Sequence, residues 1–289
     1  MTCIPGLIAL ALPLLVDEQT DQWIEVLRDA QLANQALVRQ GHSTMHIEYV
    51  RDVSDRDRTK IEFEAEVTWR DEDYLEKVRA IDKEGVLFGF PTEGPLENLP
   101  WFLIMQTNDG FHTFNPEQKF LRFTKDSKYD RTEIVVHPKY LWFACCPPMG
   151  EQGRPWPEMI GPMPASRTGG KLGKVEFIRL PENRIRRIRR DPHGGVMDTV
   201  FSLDDAANPV SSSYVEPGRD KPISAMTWEW RKQGEAVVLH KMHLTRSLYQ
   251  VKEGLEEEYH LNVLKVDLAP VSQSTFTRQH LLTMIPADS

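Results

Sequence analysis

The sequence predicts an α+β protein, with one N-terminal helix lying across the concave face of a large, curved antiparallel sheet. Three observations carry this. One apolar stripe at three- and four-residue spacing runs through residues 17–40. From Ser43 onward apolar and polar residues alternate, most regularly in KIEFEAEVTWR at residues 60–70. Turn-forming clusters separate these alternating runs at the spacing of an all-antiparallel sheet or barrel.

The elements follow in order. Ile4 to Val16 is nearly all apolar. It is too short to span a bilayer and matches the length of a signal-peptide core. No Lys or Arg precedes it, and no small-x-small cleavage site precedes Asp17. Residues 1–19 therefore read as a signal peptide or as an apolar arm packed on the domain. Cys3 precedes the apolar run and does not fit a lipoprotein acylation site. The helix comes next, with Trp23, Val26, Leu27, Ala30, Ala33 and Leu37 as its stripe and Gly41 as its C′ residue. The strand series begins at STMHIEYVRDV, with the polar turn SDRDR before the 60–70 strand and DYLEKVRAI after it. NDG at 108–110, between WFLIMQT and FHTFN, is a hairpin signal. TEIVVH, KYLWFACC, KVEFIRL, MDTVFSL, AMTWEWR, AVVLHKMHL and EYHLNVLKVDL continue the series. Pro91–Pro100 and the Pro- and Gly-rich stretch 145–173 read as long loops at the rim of a site. Alternation persists on both sides of the second loop, so residues 20–289 read as one continuous domain.

Composition bounds the function. The chain has 289 residues, 40% of them hydrophobic, ample for a core, and a net charge of −8 that argues against a nucleic-acid partner. Three cysteines exclude a cysteine-rich zinc framework. The adjacent Cys145 and Cys146 read as small residues ending a strand, since no CxxC completes a site. His240 and His243 stand three apart and face opposite sides of a strand, so no metal site is expected from them. No HExxH, GxSxG or phosphate-cradling glycine motif occurs, and no cofactor is expected. The sharpest charge feature is NRIRRIRRDPHGG. Its Arg184, Arg186, Arg187, Arg189 and Arg190 read either as a patch for an anionic partner, such as lipid headgroups or an acidic protein face, or as a solvated strand edge.

The aromatic pattern bears on what the sheet covers. Ile61, Phe63, Ala65, Val67 and Trp69 share one face, and Met226, Trp228 and Trp230 share another dry face. Trp is large and its N–H needs a partner, which suits a roomy wall. One helix of about 20 residues is roughly 30 Å long, too little to cover so many strands. Phe63, Ala65, Val67, Trp69, Met226, Trp228 and Trp230 are therefore expected to line an apolar cavity. A cavity of that kind would accept a phenylalanine at Ala65 with little loss of stability.

The whole pattern resembles a known family. The single amphipathic helix, the long meander, the hairpin NDGFHTFNPEQKFLRF, the strand TWEWRKQGE and the close LNVLKVDLAPVSQSTFTRQHL resemble the LolA-like periplasmic lipoprotein carriers. The likeness is to divergent members from planctomycete-type bacteria and covers most of residues 20–285. It implies an unclosed half β-barrel whose apolar concave face holds acyl chains, an exported protein in the periplasm or outside the cell, and no catalysis. Departures are the single helix where the carriers have several lid helices, with the Pro-rich segment 147–166 in their place, and no position that matches the family's functional arginine. The partners implied are an acyl-chain or lipoprotein ligand and a membrane surface or membrane protein. Two other classes stay open: a hydrolase with a dispersed active site, and an interaction module docking through the arginine run.

Overall fold

The computed structural model describes residues 8–52, 59–71, 73–84, 101–107, 109–115, 120–125, 160–161, 173–247 and 256–285. The strands expected over TEIVVH and KYLWFACC, with Cys145 and Cys146, lie outside the described residues. So do Pro91–Pro100 and nearly all of 145–173.

Helix α1 spans Ile8–Leu37. Thirteen strands follow: β1 Gln40–Asp52, β2 Thr59–Arg70, β3 Asp73–Glu84, β4 Trp101–Thr107, β5 Gly110–Asn115, β6 Phe120–Thr124, β7 Lys174–Leu180, β8 Arg184–Arg190, β9 Val196–Ser202, β10 Asn208–Val215, β11 Ser224–Gln233, β12 Ala236–Ser247 and β13 Glu256–Asp267. Helix α2, Arg278–Thr283, closes the described chain. The strands form one sheet in the order β6-β5-β4-β3-β2-β1-β13-β12-β11-β10-β9-β8-β7. β6 and β7 end the order, so the sheet does not close on itself. Every pairing with a described register is antiparallel. No helix among the described residues is long and apolar enough to cross a membrane.

Contacts divide the chain into two compact units. The first holds residues up to Ala36 and Phe143–Ala225, the second Leu37–Trp142 and Met226–Ser289. In the first unit, α1 buries Ile24, Leu27, Gln31 and Asn34. This corrects the stripe expected from apolar residues alone. Val26 and Leu37 are exposed, and two polar side chains take inward positions. Gln31 can do so because its Nε2 donates to the Ala207 carbonyl at 2.6 Å, and a buried amide with a partner avoids the cost of an orphaned one. Ala207 itself sits in the left-handed region at φ 56°, so the glutamine holds a carbonyl at a strained backbone position.

The helix also ends earlier than its apolar spacing predicts, at Leu37. Gly41 is not its C′ residue but lies inside β1. A Cβ at Gly41 would stand 2.6 Å from the Asp267 carbonyl oxygen and 2.9 Å from the Trp69 ring. Glycine is there because two strands and an indole close on it, not to stop a helix.

In the second unit the C-terminal tail covers one face of β3–β5. Val271, Phe276 and Leu281 pack there with Leu75, Leu103, Met105 and Phe114. The opposite face of the same strands is the wall described next.

Candidate functional site

Strand pairing assembles the wall row by row. Residues directly opposite across a strand pair point to the same side of the sheet. One row runs Val263–Met45–Ala65–Val78 across β13, β1, β2 and β3. The next runs Leu261–Ile47–Phe63–Ala80. On the other side of the first lies Val266–Ser43–Val67–Glu76–Ile104, reaching β4. Every residue of these rows is buried. These three rows are apolar except at Ser43 and Glu76.

The expected lining residues all reach this face. Phe63, Ala65, Val67 and Trp69 lie on it in β2 and are closed to water, Ala65 at 0% exposure. In β11 the ion pair Lys241–Glu229 places Glu229 on the opposite side, because Met242, beside Lys241, pairs with wall residue Leu261. Met226, Trp228 and Trp230 therefore face the wall side; the first two are buried and Trp230 is half-buried. The two groups are not neighbours. β1, β13 and β12 separate β2 from β11, which is about 19 Å measured along the sheet. Trp69 has a further tie: its Nε1 donates to the Val38 carbonyl at 2.7 Å, just past the end of α1.

Two buried glutamates on this face differ sharply. Glu257 stands at one end, where Tyr49 Oη donates to its Oε1 at 2.8 Å and Arg246 Nε donates to its Oε2 at 3.1 Å. Burial pushes the Tyr49 phenol up, and the neighbouring Tyr259 and Glu257 add to it. Glu76 has no such company. It is 0% exposed, and neither carboxyl oxygen has a hydrogen-bond partner among the described residues. Burial alone pushes its pKa well above the ordinary 4.5, because an apolar surround disfavours the charged form. The Ser43 hydroxyl is likewise buried and unpartnered. Both were missed as site residues. The signal for Glu76 was in DYLEKVRAI, where it takes the apolar parity shared by Tyr74, Val78 and Ala80.

The arginine run does not gather on one side. β8 alternation turns Arg187 and Arg189 to the buried face with Ile185, Arg187 at 0% exposure. The other face carries Arg184, Arg186 and Arg190, and two of these have acidic partners: Arg184 beside Glu182 at 3.2 Å, and Arg186 Nε donating to Asp198 at 3.0 Å. A strand of period two cannot present five arginines in a seven-residue run to one partner.

His243 meets His260 and Glu258, not His240. The three donor atoms lie within 4.8 Å of one another, and the imidazoles stack at 4.2 Å with planes 9° apart. Both ring nitrogens would have to reach an ion in the plane of their own ring, at about 2.0–2.1 Å. Parallel stacked rings leave that ion roughly half the ring spacing out of each plane, so this stack does not converge on a metal. Burial first, and then His260, hold His243 below the ordinary 6.5; burial and Arg278 do the same for His112. A histidine lowered on folding takes its proton first in the unfolded chain as pH falls. Its contribution is present above 6.5 and lost below it. Urea midpoints are expected to fall as pH drops below the ordinary histidine value, and His243→Gln and His112→Gln should each flatten that fall. Flat midpoints in the unsubstituted protein would contradict the assignment.

No protein-family model matches the sequence, and no curated protein matches it. Among solved structures the chain is similar to a DUF1329 family protein from Desulfovibrio piger, at 8% identity and a TM-score of 0.52, over 89% of this chain and 98% of that one. It is also similar to a LolA superfamily protein from Nitrosomonas europaea, at 11% identity and a TM-score of 0.48, over 87% of this chain and 98% of that one. At these identities the likeness is one of fold: the chain shares the fold of the Desulfovibrio piger protein.

Proposed function

We propose that the protein is a non-catalytic, exported binder or carrier of acyl-chain ligands, lipoprotein acyl groups among them, which takes the ligand on the Met45–Ala65–Val78 wall. One observation carries the reading. The wall is dry, yet it buries the Glu76 carboxyl and the Ser43 hydroxyl without partners. A finished core pairs such groups, because each orphan costs about 1–3 kcal/mol. A mostly apolar surface with a few convergent polar groups and a perturbed carboxyl is what a ligand site looks like. The sequence resemblance to the lipoprotein carriers supports the choice of ligand, and the apolar run Ile4–Val16 supports export.

Native mass spectrometry of gently purified protein tests this. A co-purifying lipid or lipopeptide is the expected result. A protein that is empty and fails to take up a fluorescent fatty acid would overturn the reading. Ala65 adds a second check. It is fully buried between Met45 and Val78. On a wall that yields to a ligand, Ala65→Phe is expected to abolish fatty-acid binding with little loss of stability; a loss of about 1–3 kcal/mol, the usual penalty of overpacking, in a protein that never takes up the probe would mark the face as packed core. Urea denaturation beside a binding titration reads both. A folded variant that binds the probe as well as the unsubstituted protein does would exclude this face.

A further inference from the structure

We propose that Glu76 is the specificity residue of the wall: a neutral carboxylic acid that donates its proton in a hydrogen bond to the carbonyl of an uncharged acyl ester or amide.

The inference rests on the carrier reading and deepens it. Glu76 lies between Val67 and Ile104 across the neighbouring strands, with Tyr74 and Val78 two positions away on its own strand. All four neighbours are buried. The carboxyl is fully buried, and among the described residues nothing bonds either oxygen. Such a group is costly to keep unless something else satisfies it. Glu257 on the same wall shows the alternative, a buried carboxylate fully supplied by a tyrosine hydroxyl and an arginine. Glu76 is the one of the two whose hydrogen-bonding capacity is unmet.

The chemistry of the unmet carboxyl selects the ligand. A neutral carboxyl offers one O–H donor and acceptor capacity besides. Burial favours the acid form and pushes the pKa well above the ordinary carboxyl value. The nearest unpartnered polar group on the same row is the Ser43 hydroxyl, two strand spacings or about 10 Å away, and it too is uncharged. A carboxylate ligand would be buried here facing a neutral acid and a hydroxyl, with its charge unbalanced. An alkylamine would have to drive ionisation of a carboxyl that burial holds neutral. An ester or amide carbonyl asks only for a donor, and the apolar rows on either side take its hydrocarbon.

The test uses the full chain and displacement of diphenylhexatriene, an uncharged hydrocarbon probe. The competitors are sixteen-carbon ligands differing only in the head: methyl ester, N-methyl amide, carboxylate and amine. The ester and amide should displace the probe best. With each protein's own affinity for the probe measured first, Glu76→Leu should lose about three- to tenfold in affinity for the ester and amide, the worth of one hydrogen bond. Glu76→Gln keeps an N–H donor and should retain most of the preference. Ligand-free Glu76→Leu should melt no lower than the unsubstituted protein, because the leucine removes a buried orphan. Equal ester affinity in Glu76→Leu and the unsubstituted protein would overturn the inference while leaving the carrier reading in place. A preference for the amine or the carboxylate would overturn it too. If the unsubstituted protein shows no saturable probe binding, the carrier reading falls and this inference falls with it.

Discussion

Trp69→Ala is expected to destabilise the protein by about 3–5 kcal/mol, the usual range for deleting a buried aromatic. Trp69 is 4% exposed and performs three tasks at the end of β2. Its ring fills the wall opposite Tyr74. Its indole N–H donates to the Val38 carbonyl at 2.7 Å. Its edge leaves room for nothing larger than Gly41, whose missing Cβ would stand 2.9 Å from the ring. Alanine would leave a cavity and an orphaned carbonyl at once. Trp69→Phe restores most of the volume without the donor and should cost less, about 1–2 kcal/mol. Gly41→Ala in the unsubstituted background should also destabilise, because the Asp267 carbonyl oxygen at 2.6 Å is backbone and cannot turn aside. Urea denaturation of the three variants checks the order. A Trp69→Ala protein as stable as its parent would show that the indole lines open space instead.

Phe276→Ala is expected to cost a similar amount, about 3–5 kcal/mol, from the opposite face of the sheet. The turn that presents Phe276 is held at both ends. The Gln273 amide donates to the Asp73 carboxylate at 2.8 Å, and the Thr277 hydroxyl caps α2 by accepting from the His280 N–H at 3.2 Å. Phe276 then packs on Leu75, Leu103, Met105 and Phe114. Leu75 and Glu76 point to opposite sides of β3, so this cluster and the wall share strands but not side chains. Phe276→Ala should therefore lower the urea midpoint yet bind acyl probes normally at temperatures where it stays folded. Loss of probe binding with an unchanged midpoint would contradict this division of the two faces.

Much of this is legible in the sequence, and the rest fails for physical reasons. β2 and β11 read directly, because a period of two with a dry face leaves little freedom of register. The strand DYLEKVRAI reads equally well, and its parity already puts Glu76 among apolar neighbours. What parity cannot supply is the absence of a partner, which depends on Val67 and Ile104 from other strands. The helix was found but rotated, because Gln31 and Asn34 are polar and were left out of the stripe. Only the distant Ala207 carbonyl makes Gln31 an inward residue. The arginine run reads either as one patch or as a solvated strand edge, because a string of letters has no faces. The His243–His260 stack could not be seen at all, since it needs the pairing of β12 with β13. The wall rows share that limit: β1 meets β13 across more than 200 residues of chain, as in Met45 opposite Val263.

Photolabelling shows whether an acyl ligand occupies the Met45–Ala65–Val78 wall. A sixteen-carbon methyl ester with a diazirine at mid-chain is bound to the full chain, irradiated, and its attachment sites mapped by peptide mass spectrometry. Saturable labelling, suppressed by unlabelled ester, is expected on the peptides of β1, β2, β3 and β13 that carry Met45, Ala65, Val78 and Leu261. Labelling that the unlabelled ester does not suppress, or that falls instead on the Leu75–Phe276 face, would contradict it.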